Sequence, residues 1–277
     1  MIGPQEIDIT NKTKTQIINP SLGLDYKTNS ILKKYLSNRS FFASSNAANP
    51  ITTTQRQFGM PASSFTNFNT FASVLVTLSV ASTSALDTAA GTGARTMTIE
   101  GLDENYAELP LETITLNGTT PVNSTVQYFR INRLTIITAG STRANQGDIF
   151  IGDSADTFTG GIPDTRVYCA ILAFESVSQY GTFSVPEGKK LHFIRGNYYI
   201  GATATKPVVL CERFICGGII YGVGDLTLST SLSVSFDGAA GYLPKTDHFW
   251  EIFVQTQTVT GVVYYEYSLE TLSKNPT

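Results

Sequence analysis

The sequence predicts an all-β fold of the sandwich or barrel kind, and three observations carry that expectation. From Ser64 onward, short runs of β-branched and aromatic residues recur between Gly, Pro, Asn and Asp, the spacing of strands and turns in an antiparallel all-β domain. Strict alternation in Leu232-Ser233-Val234-Ser235-Phe236 puts Leu232, Val234 and Phe236 on one face and the serines on the other, as in a strand with one buried side. No helix-period segment longer than a turn or two follows residue 60, which excludes α/β folds with crossover helices.

Taken in order, the candidate strands are 71–80, 96–102, 112–116, 127–139, 148–152, 166–174, 182–185, 190–200, 207–214, 218–223, 226–236, 248–256 and 261–269. Leu226-Thr227-Leu228-Ser229 alternates like the run that follows it. Ala170-Ile171-Leu172-Ala173-Phe174 is apolar throughout and is expected to be covered on both faces, by a second sheet on one side and an arm or partner subunit on the other. Asn117-Gly118 and Asp237-Gly238 supply positive φ between apolar runs and read as hairpin turns. Pro186-Glu187-Gly188 and Leu243-Pro244-Lys245-Thr246-Asp247 are further turns, the latter just ahead of the last strand pair. A split into two smaller barrels near Gly160-Gly161 stays open.

Residues 1–60 differ from the rest. Seven Lys and Arg (Lys12, Lys14, Lys27, Lys33, Lys34, Arg39 and Arg56) face three acids (Glu6, Asp8 and Asp25), giving +4 there and −7 in the remainder. Apolar residues such as Ile17-Ile18, Leu22, Leu24 and Phe41-Phe42 are separated by Asn, Ser and Pro, and only 28–36 has the makings of a short helix, with Asn29 or Ser30 as N-cap. The expected organisation is an extended N-terminal arm over residues 1–60 and a sandwich domain over residues 61–277. Such an arm is either a solvated tail or a segment ordered by lying on a neighbouring subunit, and its apolar content favours the second. Lys33-Lys34 reads as a wet surface rather than a nucleic-acid contact.

Composition excludes several classes. Charged residues are only 15% of the 277, against roughly 25% in an average soluble domain, so Thr, Ser, Asn and Gly must build much of the surface. Coiled coils and charge-rich disorder do not fit. A net charge of −3 gives no cationic field to gather phosphates, and nucleic acid is not an expected partner. Cys169, Cys211 and Cys216 are too few for a disulfide framework and read as small hydrophobes, with at most one bridge. No Cys-x-x-Cys accompanies the two histidines, so no metal is expected. The first thirty residues lack a signal-peptide pattern, and no apolar run is long enough for a membrane-spanning helix. Asn-x-Ser/Thr triplets at Asn11, Asn38, Asn117 and Asn123 carry no prediction in so Thr-rich a chain.

No catalytic constellation emerges. A Ser/His/Asp system needs a histidine base, and His192 sits within the strand-like run Leu191-His192-Phe193-Ile194-Arg195. The adjacent Asp247 and His248 would point to opposite strand faces. Gly-x-Ser-x-Gly and phosphate-loop patterns are absent. Glu100, Asp103, Glu104, Glu108 and Glu112 cluster, but around what reads as a polar connection, where solvation is a commoner role than glycoside hydrolysis. Asp148, Asp153 and Asp156 flank Gly152 and suggest a calcium loop, without EF-hand spacing. No catalytic residue, cofactor-binding residue or metal ligand is assigned, and no cofactor is expected. Aromatics are abundant: 13 Tyr, 16 Phe and the single Trp250. Tyr264-Tyr265-Glu266-Tyr267 presents phenols on both strand faces, which suits either a core edge or a wet interface.

A run of short stretches resembles a pattern found in structural proteins of tailed phages and large algal DNA viruses. It begins with Gly93-Ala94-Arg95-Thr96-Met97-Thr98-Ile99-Glu100-Gly101-Leu102-Asp103 and Glu112-Thr113-Ile114-Thr115-Leu116-Asn117-Gly118-Thr119-Thr120-Pro121-Val122. Phe129-Arg130-Ile131-Asn132-Arg133, Thr138-Ala139-Gly140-Ser141, Gly147-Asp148-Ile149, Phe183-Ser184-Val185-Pro186-Glu187-Gly188-Lys189 and Pro244-Lys245-Thr246-Asp247 continue it, covering about residues 90–255 loosely. The first 60 residues have no counterpart, and 211–224 is more apolar and glycine-rich than the pattern. The resemblance implies a jelly-roll-like β-sandwich in a non-enzymatic virion structural protein. It further implies a symmetric homo-oligomer at a capsid vertex (penton) or as a minor capsid component, with other capsid proteins as partners and the arm on neighbouring subunits. The alternative is a receptor- or carbohydrate-binding module of a virion spike or fibre, using loop 238–245 with Tyr242.

Overall fold

A computed structural model describes residues 36–44, 56–57, 72–178, 182–200, 208–228, 232–235, 241–242, 244–254 and 261–271, with side chains described over 72–178, 183–189, 191, 214–219 and 244–247. All regular structure among the described residues is β. The segment before residue 60 supplies β1 (Leu36–Ser44) and β2 (Arg56–Gln57). The stretch 72–178 supplies β3 (Val76–Ser82), β4 (Ala94–Leu102), β5 (Glu112–Thr115), β6 (Val122–Tyr128), β7 (Arg130–Ala139), β8 (Ile149–Asp153), β9 (Phe158–Thr159), β10 (Ile162–Pro163) and β11 (Cys169–Ile171). The remainder supplies β12 (Thr182–Ser184), β13 (Lys189–Ile200), β14 (Val208–Cys216), β15 (Ile219–Leu228), β16 (Leu232–Ser235), β17 (Gly241–Tyr242), β18 (Asp247–Val254) and β19 (Gly261–Thr271).

Residues 72–178 form a sandwich of their own. One sheet runs β11-β8-β3-β6 and the other β5-β4-β7. In β4 the alternation Thr96-Met97-Thr98-Ile99 turns Met97 and Ile99 inward, where they pack with Leu78 and Val80 of β3, Leu134 of β7, Ile149 and Ile151 of β8, and Cys169 and Ile171 of β11. Burying each such aliphatic side chain contributes about 1.5–3 kcal/mol. Two strand periods therefore meet in one core. Gly101 continues the inward face of β4 beside the fully buried Tyr128 ring, in the space that any Cβ would occupy.

The other strands make two further sheets, β1-β19-β13-β16 with β17 beside β13, and β12-β18-β14-β15 with β2 also on β18. Setting aside the short β12 and β17, these are eight strands in chain order: β1, β2, β13, β14, β15, β16, β18 and β19. One sheet takes the first, eighth, third and sixth, and the other the second, seventh, fourth and fifth. That order, all antiparallel, is the double Greek key of a jelly roll. The fold class read from the sequence is therefore the fold observed, but it is assembled differently along the chain. The pairings change partners between β11 and β12, whereas Gly160 and Gly161, at φ +59 and +86, form the turn of the β9–β10 hairpin inside the first sandwich.

Several expectations are modified. Two stretches of the expected arm are strands of the jelly roll: Leu36–Ser44 pairs with β19 over nine residue pairs, and Arg56–Gln57 pairs with β18. Leu36 belongs to β1 instead of ending a helix, and 28–35 lies outside the described residues. The single strand expected over 127–139 breaks at Phe129, because β6 joins β3 and β7 joins β4 in the opposite sheet. Asn117-Gly118 makes a tight turn, Gly118 at φ +61, yet it passes the chain from sheet to sheet instead of closing a hairpin. In the apolar run at 170–174, Ala170 packs with Phe150 and Val167 of the same chain, and Phe174 turns outward. Among the described residues, Ile162 also packs on this cluster. Pro186-Glu187-Gly188 is a turn as expected, with Gly188 at φ +71, while Asp237-Gly238 lies outside the described residues.

Candidate functional site

The two sandwiches meet where the first interrupts a strand of the second. Both β2 and β12 run antiparallel to β18 on the same edge, β2 opposite Glu251 and Ile252 and β12 opposite Asp247, His248 and Phe249. Between them the chain leaves, builds residues 72–178 and returns. After β12 it turns through Val185 and Pro186 into β13, pinned by Val185 N–H donating to the Thr246 carbonyl and Lys245 N–H to the Val185 carbonyl. Lys245 takes φ +60 to do so.

Asp247, 1% exposed, is the hub of this junction. The Arg130 guanidinium donates to it from Nε (2.9 Å to Oδ1) and Nη2 (2.8 Å to Oδ2), Tyr106 OH donates at 3.0 Å, and Ser184 Oγ at 2.6 Å. Arg130 is 8% exposed. Its Nη1 donates to the carbonyls of Ala72 and Phe129, and its guanidinium lies 3.8 Å over the Phe129 ring centroid. A buried charge pair is favourable only when its remaining donors and acceptors are satisfied, and here they are. Burial, the Asp247 charge and its hydrogen bond push the Tyr106 phenol up to about 12, against the opposing effect of Arg130. Beside the hub, Asn132 mimics a strand neighbour: its amide donates to Ser184 O and its carbonyl accepts Ser184 N–H. Three of the stretches that carry the viral resemblance, 129–133, 183–189 and 244–247, thus converge at this point. The arrangement orients two bodies, and its serine–carboxylate contact, Ser184 Oγ on Asp247, is buried, with the carboxylate also held by Arg130.

Of the five carboxylates that could suggest glycoside hydrolysis, Asp103, Glu108 and Glu112 have structural partners. Asp103 Oδ1 accepts the amides of Asn105 and Ala107. Glu112 accepts Thr125 N–H, Thr125 Oγ1 and the Tyr128 hydroxyl, and with burial this raises the Tyr128 phenol above its ordinary range. Glu108 pairs with Lys189 at 2.6 Å. Glu104 is exposed. Glu100 and Glu108 both line a cavity of about 310 Å³ with Leu102, Leu109, Asn132 and Phe183. The cavity is roomy enough for a small molecule, but Glu108 reaches it already bound to a cation.

Nor do the three aspartates of the suggested calcium loop converge. Asp148 and Asp153 flank opposite ends of β8. Asp148 Oδ1 accepts Ala173 N–H and Asp153 Oδ1 accepts Ala155 N–H. Burial acts to raise the Asp156 carboxyl, but the amides of Thr165, Arg166 and Thr157 outweigh it and hold the group below its ordinary value. Among the described residues no three His, Cys, Asp or Glu side chains form a group that could hold a metal. Cys169 is buried, its thiol pushed up to about 12 by burial, and Cys216 is exposed at the β14–β15 turn. The side chains of Cys211, His192, His248, Trp250, Tyr242 and Tyr264–Tyr267, and most of loop 238–245, lie outside the described residues, as do Lys33 and Lys34. No helix among the described residues is long and apolar enough to cross a membrane. The Arg130–Asp247 hub was not singled out in the sequence; its only signal was that both residues fall in stretches matching one pattern.

No protein-family model matches the chain, and no curated protein matches it. Among solved structures it is similar to the STIV MCP, at 11% identity and a TM-score of 0.20, covering 84% of this chain and 96% of that one. It is also similar to a structure of infectious bursal disease virus Gt strain, at 9% identity and a TM-score of 0.21, covering 87% and 74%. A third is the VP2 subviral particle of infectious bursal disease virus, at 9% identity and a TM-score of 0.17, covering 87% and 77%. The likeness to virus proteins is weak, and at such scores it places no residue. The jelly-roll assignment rests on the strand pairings.

Proposed function

We propose that the chain is a non-enzymatic structural protein of a virion, assembling as a symmetric homo-oligomer at a capsid vertex or as a minor capsid component. The observation that carries this reading is the junction: a jelly roll is interrupted in one strand by a second sandwich, and a buried, fully hydrogen-bonded ion pair fixes the two. Described polar groups that elsewhere serve chemistry are here spent on positioning backbone. Rigid coupling of two bodies suits a subunit that must present the same contact surfaces in every copy, because closed symmetry multiplies each contact. A specific contact needs only about 800 Å² per partner. The residues before β1 are the segment that reaches a neighbouring subunit in this reading.

Native mass spectrometry of the full chain, alone and mixed with particle proteins from its source, tests the proposal, together with a chain lacking residues 1–35. A discrete oligomer, or co-assembly weakened by the deletion, is the expected result. A chain that stays monomeric at high concentration and binds no particle protein overturns it.

A further inference from the structure

The cavity of about 310 Å³ beside the junction is walled by Leu102, Leu109, Leu111 and Phe183 and carries the carboxylates of Glu100 and Glu108. Its other polar lining group, Asn132, has both ends of its amide engaged with the Ser184 backbone. What the cavity offers an occupant is therefore apolar wall and carboxylate oxygens, which accept hydrogen bonds and donate none. Its rim already shows the preference, because the Lys189 amine sits on Glu108 at 2.6 Å. Between Arg95 and Arg130 the chain has five carboxylates and no Lys, Arg or His, so the segment that forms most of the wall brings no cation of its own. Leu111 has 64% of its surface in solvent, an apolar group left without cover among the described residues. The volume stands at the lower end of the about 300–1,000 Å³ of ligand pockets, which admits a side chain or two and not a folded partner.

The strand register brings one segment of the chain to this place. Lys189 opens β13, and Lys189 and Lys190 lie opposite Thr271 and Glu270 of β19. On the other side of β19, Glu270 lies opposite Leu36, the first residue of β1. Leu36 is thus two strand spacings, about 10 Å, from Lys190, at the sheet end where β13 begins and the Lys189 side chain reaches Glu108. The residues leading into it are Tyr26-Lys27-Thr28-Asn29-Ser30-Ile31-Leu32-Lys33-Lys34-Tyr35, with three lysines, no acid and an aliphatic pair beside the lysine pair. Lys33 and Lys34 precede Leu36 by a length that extended chain covers in about 7–10 Å, and the long lysine side chain extends that reach. Cationic and aliphatic side chains side by side match a wall of carboxylates and leucines. Residues 272–277, which follow β19 from the same sheet end, carry a single lysine, Lys274.

We propose that residues 26–35 occupy this cavity in their own chain, with the lysine pair Lys33-Lys34 on the carboxylates of Glu100 and Glu108 and Ile31-Leu32 against Leu109 and Leu111. Seated there, the segment straps the two sandwiches together beside the Arg130–Asp247 pair. Residues 1–25 remain to reach a neighbour in the assembly reading, on which the strap does not depend. The test is carbodiimide cross-linking of the full chain, which condenses a lysine amine with a carboxylate in contact with it, followed by peptide mapping. Isotopically light and heavy chains are assembled together beforehand, and the Lys189–Glu108 pair is the internal control. The expected result is a link from Lys33 or Lys34 to Glu100 or Glu108, always within one isotopic form. Trypsin should cut after Lys33 and Lys34 about fivefold faster once Glu100→Gln and Glu108→Gln are combined, the effect of losing an ion pair, while cutting after Lys12 and Lys14 keeps its rate. If that double variant melts lower, the cross-links of the unaltered chain decide. Native mass spectrometry of the same samples reads assembly apart: a monomer with the intrachain link defeats the assembly reading alone, and an oligomer without it defeats the strap alone. Lys33 and Lys34 linked only elsewhere or not at all, Lys274 linked in their place, links between light and heavy chains, or proteolysis indifferent to the double replacement overturns the proposal.

Discussion

Replacing Asp247 by Ala removes a carboxylate that is 1% exposed and serves Arg130, Tyr106 and Ser184 at once. Breaking a buried pair by deleting one partner typically costs about 3–5 kcal/mol, because the surviving charge is left without compensation. Arg130 keeps the carbonyls of Ala72 and Phe129 and its stacking on Phe129, which places the expected loss in the lower half of that range. For a unit of this size the loss lowers the melting temperature by about 10 °C. Removing both charges, with Arg130→Met and Asp247→Leu together, should cost less than Asp247→Ala alone, since nothing charged remains in the interface. Urea unfolding of Asp247→Ala, Arg130→Met, Asp247→Leu and the Arg130→Met/Asp247→Leu double variant, followed through the single Trp250 of β18, measures the loss, and the last three close a cycle that gives the coupling energy. A loss below about 1 kcal/mol for Asp247→Ala, the value of an exposed pair, would refute the reasoning that the junction is dry and rigid.

Three other perturbations probe separate parts of the structure. The Tyr106 phenol stands at about 12 in the folded chain against 10.0 ordinarily, so its contribution is fully present below pH 10 and lost as pH rises through about 12; Tyr106→Phe should flatten the alkaline limb of a stability–pH curve. Gly101→Ala places a methyl group against the Tyr128 ring and the Arg130 carbonyl, and should destabilise the inserted sandwich by about 1–3 kcal/mol in thermal unfolding. Cys216 should react with a thiol reagent in the native protein, whereas buried Cys169 should be labelled only once the chain unfolds, as peptide mass mapping would show.

The strands of the inserted sandwich were legible because their partners are close in sequence and their periodicity is clean, as in Thr96-Met97-Thr98-Ile99. The jelly roll was legible as strands but not as a unit. Its first strand pairs with its last, Leu36 opposite Glu270 and Ser44 opposite Val262. A run such as Ser37-Asn38-Arg39-Ser40 has no periodicity to betray an edge strand. Phe129 hid a break because the residues around it are individually good strand formers, and what divides them is the tertiary demand that Arg130 reach Asp247. The same limit applies to the site: neither Arg130 nor Asp247 is unusual locally, and a salt bridge between residues 117 apart leaves no local trace. Phe174 misled for a related reason, since an apolar run does not reveal where a turn ends it.

The pairing of β1 with β19 also sets an order of events during synthesis. The residues of the inserted sandwich find all their strand partners within 72–178, so that body can complete its core while later residues are still being made. The surrounding sheets cannot close until the residues of β19 have emerged, leaving Leu36–Ser44 waiting for more than two hundred residues of chain. A ribosome therefore releases this protein with its innermost insertion finished first and its frame sealed last, and until that moment β1 is an unpaired edge open to a neighbouring nascent chain.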